Sequence, residues 1–181
     1  MADSMPKLMC FSGSLRAKSS STAVLGMILD RRGDRIAAER FDLTSLPYYN
    51  ADLDTEEPLD PVKALKEGIG SADGVIIVTP EYNYSVPGVL KNAIDWASRP
   101  GYNSVFKGKP VFVVTVSGGA LGGVRAQSHL KYILNGMLAK PFIHQEIVVP
   151  AANAKVEDGA FRDEAIETFM LDAFDAFLET L

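Results

Sequence analysis

The feature of this sequence that most constrains its fold is an alternation. Short apolar, β-branched runs recur at Leu8–Phe11, Ile36–Leu43, Val75–Val78, Val111–Val116 and Ile143–Val149, with helically spaced segments between them. Such alternation specifies β-α-β units, in which each helix returns the chain to a parallel strand. Val75–Val78 and Val111–Val114 are apolar at consecutive positions, as central strands covered on both faces are. Ile143–Val149 carries His144, Gln145 and Glu146 and is expected at an edge.

Helix starts punctuate the gaps: a Ser/Thr cluster before Ala23–Leu29, Asp60-Pro61 before Val62–Ile69, and Ser85-Val86-Pro87 before Gly88–Ala97. Leu121–Leu138 is a fourth helix. In the last, Phe161, Ala165, Phe169, Ala173 and Phe177 form one stripe, with Asp163, Glu167, Asp172 and Glu179 elsewhere. Right-handed crossovers and a central first strand then predict a doubly wound α/β fold: a five-stranded parallel sheet of order 2-1-3-4-5 with helices on both faces. Its ligand belongs at the carboxyl ends of the strands. A chain of 181 residues, 47% of them hydrophobic, is expected to form one domain over 1–181. Thr44–Leu59, with its two prolines and four acidic residues, reads as a surface loop.

A net charge of −5 and no basic run longer than Arg31-Arg32 disfavour a nucleic-acid partner, which needs a concentrated basic face. Met1 to Lys7 lacks the apolar core of a signal peptide and no apolar run could span a bilayer, so no membrane association and a cytoplasmic location are expected. Cys10 is the only cysteine, which excludes an intrachain disulfide, a CxxC pair and a Cys-rich metal site. Redox chemistry would need an organic cofactor. Cys10 itself reads as a buried strand residue.

Three loops at strand ends carry the polar chemistry. The first, Ser12-Gly13-Ser14-Leu15-Arg16-Ala17-Lys18-Ser19-Ser20-Ser21-Thr22, ends at a helix N-terminus, where free N–H groups and the helix dipole attract phosphate; hydroxyls and Arg16 would add donors. Gly13 lets the backbone turn without a side-chain clash. Lys18 rather than Gly stands five residues after Gly13, so this is no P-loop, and the chain contains no GxGxxG. Helix capping alone explains one hydroxyl of this cluster equally well.

The second loop, Thr79-Pro80-Glu81-Tyr82-Asn83-Tyr84-Ser85-Val86-Pro87-Gly88, combines stiffening prolines, two aromatic rings and the acceptors and donors of Glu81 and Asn83, which suits a heteroaromatic ring with polar edges. A structural reading, with tyrosines packed under a loop, stands beside it. In the following helix Val89, Leu90, Ala93, Ile94 and Ala97 form the buried face, leaving Trp96 off the stripe, where an exposed Trp would point to a partner subunit. The third loop, Ser117-Gly118-Gly119-Ala120-Leu121-Gly122-Gly123, permits close backbone approach to a ring or ribose. Together the three converge on the switch point of the sheet.

With these residues in hand, the chain resembles the NADPH-dependent FMN reductase family of flavodoxin-like proteins, and within it bacterial quinone and chromate reductases and FMN azoreductases. The resemblance rests on Gly13-Ser14-Leu15-Arg16 with Ser19 and Ser21, on Pro80-Glu81-Tyr82-Asn83 with Pro87-Gly88 and Leu90–Trp96, and on Ser117-Gly118-Gly119. It implies FMN held at its phosphate by Ser14, Arg16, Ser19, Ser20 and Ser21, with Pro80, Glu81, Tyr82, Asn83, Ser117, Gly118 and Gly119 lining the isoalloxazine. NADPH or NADH would be the co-substrate and a quinone-like small molecule the electron acceptor, by ping-pong transfer through the flavin. It also implies a homodimer through the helix after the Pro-Glu-Tyr-Asn block, with a homotetramer as the further option and Trp96 and Arg99 near the interface. Ser21 stands where the family often has Asn, and Ser128 where related quinone reductases often carry Tyr near the tetramer contact. A flavodoxin-type electron carrier that never turns over NAD(P)H is the alternative. Arg16, Lys18, Arg99 and Arg125 are the cations available to a 2′-phosphate. His129 and His144 are the only histidines, and carboxylates are not patterned around them as a catalytic metal requires.

Overall fold

The computed structural model describes residues 5–181, so the reading of Met1–Lys7 falls largely outside the described residues. Strands β1 (Lys7–Ser12), β2 (Ala37–Arg40), β3 (Gly74–Pro80) and β4 (Pro110–Val116) alternate with helices α1 (Ser20–Arg32), α2 (Asp60–Ser71), α3 (Gly88–Ala97) and α4 (Val124–Gly136). Then come β5 (Lys140–Pro141), β6 (Val148–Val149), a small hairpin of β7 (Val156–Glu157) and β8 (Ala160–Phe161), and α5 (Glu164–Leu178). All pairings in the main sheet are parallel, in the order β2-β1-β3-β4-β5, with β6 also on β4.

Side chains along a strand alternate between faces, so the continuous apolar runs feed two cores. Leu8, Cys10, Ile76, Val78, Phe112 and Val114 point to the side covered by α1 and α5. Met9, Phe11, Val75, Ile77, Val111 and Val113 point to the side covered by α2, α3 and α4. Phe112 sits at the centre of an aromatic cluster, its ring 5.2 Å from Phe174 and 5.4 Å from Phe177.

Three elements depart from the sequence reading. The edge strand expected over Ile143–Val149 is two short pieces. From Val111 to Thr115 on β4 the partner advances from Pro141 to Val148, so four positions face seven and three residues loop out. The polar His144–Glu146 stretch lies in that excursion, and the Gln127 side chain bridges the gap by donating to the Ile147 carbonyl (2.9 Å). In α5 the buried face is Met170, Leu171, Ala173, Phe174 and Phe177, while Ala165 is exposed and Phe161 belongs to β8. Trp96 is fully buried: its indole N–H donates to the Pro47 carbonyl (2.8 Å) and Tyr49 packs edge-on against it (4.9 Å). The loop read as surface therefore forms two short 3-10 turns and covers the outer side of α3, leaving no exposed Trp for a partner. Among the described residues, no helix is long and apolar enough to cross a membrane.

Candidate functional site

The first wall of the site is the turn from β1 into α1. Gly13 donates its N–H to the Val78 carbonyl (2.8 Å), and a Cβ at Gly13 would collide with the Thr79 side chain. What demands glycine here is contact with β3. Ser19 is the N-cap of α1: its backbone is extended and its hydroxyl accepts from Thr22 N–H (3.3 Å). Behind it, the Ser21 hydroxyl bonds Ser19 (2.8 Å) and Ser12 (3.2 Å), and Thr22 bonds Ser12 (2.8 Å), a ladder that ties α1 to the end of β1. Capping and a donor-rich loop thus coexist. The Ser14 hydroxyl meets the Tyr82 hydroxyl (3.2 Å), Ser20 donates to Asn153 Oδ1 (3.2 Å), and the exposed Arg16 folds back to donate to the Lys18 carbonyl (3.0 Å).

The second wall follows β3. Tyr82 and Ser85 exchange both backbone hydrogen bonds (3.0 and 3.1 Å), and the two residues between them, Asn83 (φ 44°) and Tyr84 (φ 69°), are left-handed. This is the pattern of a type I′ turn, and left-handed non-glycine residues cost on the order of 1–3 kcal/mol each unless their surroundings enforce them. Here α4 supplies that enforcement. The Arg125 guanidinium lies 4.1 Å from the Tyr84 ring centre, and His129 Nδ1 is 3.0 Å from the Ser85 hydroxyl. The Glu81 carboxylate accepts from Arg125 Nη1 (2.8 Å), Arg125 N–H (3.1 Å) and Ala126 N–H (3.2 Å). Glu81, read from sequence as a source of acceptors for a ring, is therefore engaged across the site as the cap of α4's first turn. Arg125 is likewise engaged, and Arg99 lies over the Tyr49 ring (5.6 Å).

The third wall leaves β4 at Val116. Ser117 Oγ accepts the Gly119 N–H (3.1 Å), and Gly123 opens α4 with φ 88°, its missing Cβ admitting Thr115 at 3.0 Å. A fourth segment, unmarked by the sequence reading, closes the site. Ala152 N–H donates to the Ser117 carbonyl (2.8 Å), and a Cβ on Gly118 would lie 3.0 Å from Asn153 Nδ2. The carboxyl-end rule applies to the loop after the last strand as to the others, but Pro150-Ala151-Ala152-Asn153 offers one polar side chain as its signal.

These walls enclose a cleft of about 80 Å³ that gathers Ser14, Arg16, Ser19, Ser20, Ser21, Pro80, Glu81, Tyr82, Ser117 and Gly118 with Val116, Ala152 and Asn153. Asn83 and Gly119 fall outside its lining. Its one carboxylate is already satisfied, and what remains is hydroxyls, a guanidinium and a helix N-terminus: donors suited to a phosphate. Neither histidine lines the cleft; His144 stacks on Phe142 (5.8 Å). No group of three His, Cys, Asp or Glu side chains that could hold a metal occurs among the described residues. Burial pushes the Cys10 thiol up to about 12, so it stays protonated inside the sheet.

The sequence matches the NADPH-dependent FMN reductase family over residues 6–154. It is 38% identical over 159 residues to an NAD(P)H-dependent FMN reductase of Pseudomonas aeruginosa, covering 87% of this chain and 85% of that protein. Identity is 43% over 125 residues to a 2-hydroxy-1,4-benzoquinone reductase of a Burkholderia species, covering 69% and 68%. Among solved structures, the flavoenzyme NAD(P)H:(acceptor) oxidoreductase FerB from Paracoccus denitrificans superposes with a TM-score of 0.85 at 34% identity, over 96% of each chain. A parallel 2-1-3-4-5 sheet, a hydroxyl-lined cleft at its carboxyl end and these relationships together make this chain a member of the NADPH-dependent FMN reductase family.

Proposed function

We propose that the chain is one flavodoxin-like domain acting as an FMN-dependent NAD(P)H oxidoreductase that reduces quinones. The observation that carries this reading is the junction, in one cleft, of the α1 hydroxyl loop with the Pro80–Tyr82 and Ser117–Gly118 walls. Relatives named as FMN and quinone reductases support it. The donor set fits the cofactor: Ser14, Arg16, Ser19, Ser20 and Ser21 would hold its phosphate, and Pro80, Glu81, Tyr82, Asn83, Ser117, Gly118 and Gly119 would line its ring. Bound FMN supplies hydride acceptance and two-electron donation.

The protein's part is binding and orientation. The α1 N-terminus and its hydroxyls neutralise phosphate charge, while the α4-enforced turn at Asn83–Tyr84 fixes the rim of the ring site. No side chain needs to act as a general base, so the two half-reactions of a ping-pong cycle can share one open site. An open site of this kind also suits azo compounds, chromate and free flavin as acceptors. The working assembly we propose is a homodimer; exposed Tyr48 (91%) and Tyr102 (74%) lie near the carboxyl end of α3, whereas Trp96 belongs to the subunit's own core. Sizing by light scattering tests it.

Anaerobic titration of FMN-reconstituted protein with NADPH and NADH, following flavin absorbance, tests the activity. Bleaching that a quinone reverses is the expected result. Flavin binding without bleaching by either nucleotide would instead establish an electron carrier, and failure to bind FMN overturns both.

A further inference from the structure

Across the N-terminus of α1 from the cleft lies a larger groove of about 440 Å³, bounded by α1, the end of β2 and the β7–β8 hairpin. The two share Ser19, the N-cap of α1. The floor of the groove is apolar and shallow: Ala23, Met27 and Phe161 are buried, and Gly26 presents no side chain. Its rim holds Lys18, Arg31, Arg40 and Arg162 against Asp30 and Glu167.

The cations on and just after α1 are paired. Arg31 pairs with Glu167 (2.6 Å), while further along Arg32 (2.7 Å) and Arg35 (2.6 Å) pair with Asp175. Lys18, Arg40 and Arg162 have no carboxylate partner among the described residues. They come from three separate elements, the loop before α1, the end of β2 and the residue after β8, yet converge on one groove of a chain whose net charge is −5. Unpaired like charges gathered over an apolar floor repel one another and raise the local concentration of anions. An anion with a flat apolar part relieves both conditions.

We propose that this groove binds a phosphorylated adenosine, the adenylate half of a dinucleotide, with the base on the Ala23–Met27 floor and phosphate oxygens on Lys18, Arg40 and Arg162. The choice of adenosine rests on the reductase reading; the anion and the apolar floor do not. Two dinucleotides carry that half. NADPH brings a 2′-phosphate, which a basic residue at the end of the second strand is placed to meet in doubly wound folds; here that residue is Arg40. FAD would run its second phosphate past Ser19 from the α1 N-terminus into the groove.

The test is calorimetric titration of FMN-saturated protein with ADP, adenosine 2′,5′-bisphosphate and inorganic phosphate, beside the double variants R40A/R162A and R40K/R162K. ADP is expected to bind while FMN stays in place, and R40A/R162A to weaken it by about tenfold or more, the value of lost charge-assisted phosphate contacts. R40K/R162K retains most of the binding, and FMN affinity changes less than about twofold because these side chains stand outside the cleft. Tighter binding of the 2′,5′-bisphosphate, with a raised KM for NADPH but not NADH in R40A/R162A, identifies NADPH as the source. Displacement of both FMN and ADP by FAD identifies FAD. No ADP binding, binding unchanged in R40A/R162A, or inorganic phosphate binding as tightly as ADP overturns the proposal. Were FMN itself not to bind, the reductase reading falls, and ADP titrated onto the protein alone still reads the groove.

Discussion

Gly13 sets the spacing of the whole site, because its missing Cβ is what lets the first loop lie against β3. Gly13→Ala is expected to destabilise the fold by about 1–3 kcal/mol, the usual range for an overpacked methyl, as a lower urea midpoint at unchanged slope, and to weaken FMN binding in parallel. Arg16 has the opposite character: exposed and held by one hydrogen bond to the Lys18 carbonyl, it contributes nothing to the core. Arg16→Ala should leave the melting temperature unchanged while weakening FMN by roughly tenfold or more, the scale of a charge-assisted hydrogen bond to phosphate, measured by fluorescence titration of the flavin. Cys10, with its thiol pushed up to about 12 by burial, is expected to resist thiol reagents at pH 8 until the protein is unfolded. Rapid labelling of the native protein would contradict that placement.

Ion pairs on the surface join α1 to α5, the two helices that cover one face of the sheet. The Asp175 carboxylate takes a two-pronged bond from Arg32 (2.7 and 2.9 Å) and another from Arg35 (2.6 Å), and the Arg32 bond above all holds it below the ordinary carboxylate value. At the start of α5, Asp163 is held low in the same way by Lys155 and by the N–H of Ile166 that it caps. Groups lowered by folding release protons more readily in the native state than in the unfolded chain. Their stabilisation is present above the unfolded value near pH 4 and is lost as pH falls through the lower native values. Asp175→Asn should therefore cost roughly 1 kcal/mol at pH 7, little more because the pair is partly solvated, and flatten the acid limb of a stability–pH curve measured by urea unfolding. An unaltered acid limb would show that the pairing does not persist in solution.

Across the whole molecule, the sheet and its two cores depend on Phe112, which is fully buried against Phe174 and Phe177. Phe112→Ala is expected to cost about 3–5 kcal/mol in chemical denaturation, a large share of the stability of a protein this size. Strand order, the central runs of β3 and β4, the start of α3 and the three loops were legible in the sequence, because hydrophobic period and turn chemistry are local properties. The split of the last strand was not, since it depends on Gln127 reaching across to Ile147 and on register against β4. Trp96 was misplaced for the same reason: a helix face reads as outward until another segment, here the loop around Pro47, is known to cover it. In the site, residue types marked the hydroxyl loop and the Pro80–Tyr82 loop that line the cleft, but not that the Glu81 carboxylate would be consumed by α4, nor that Asn153 would close the cleft. The sequence by itself determined the doubly wound sheet and where along the chain a ligand could be met, because those follow from period, glycine and hydroxyl placement within a few residues. Only the tertiary structure decided which charges are spent in pairs and which, at Lys18, Arg40 and Arg162, are left facing one groove, because pairs such as Arg31–Glu167 and Arg32–Asp175 join residues more than a hundred positions apart.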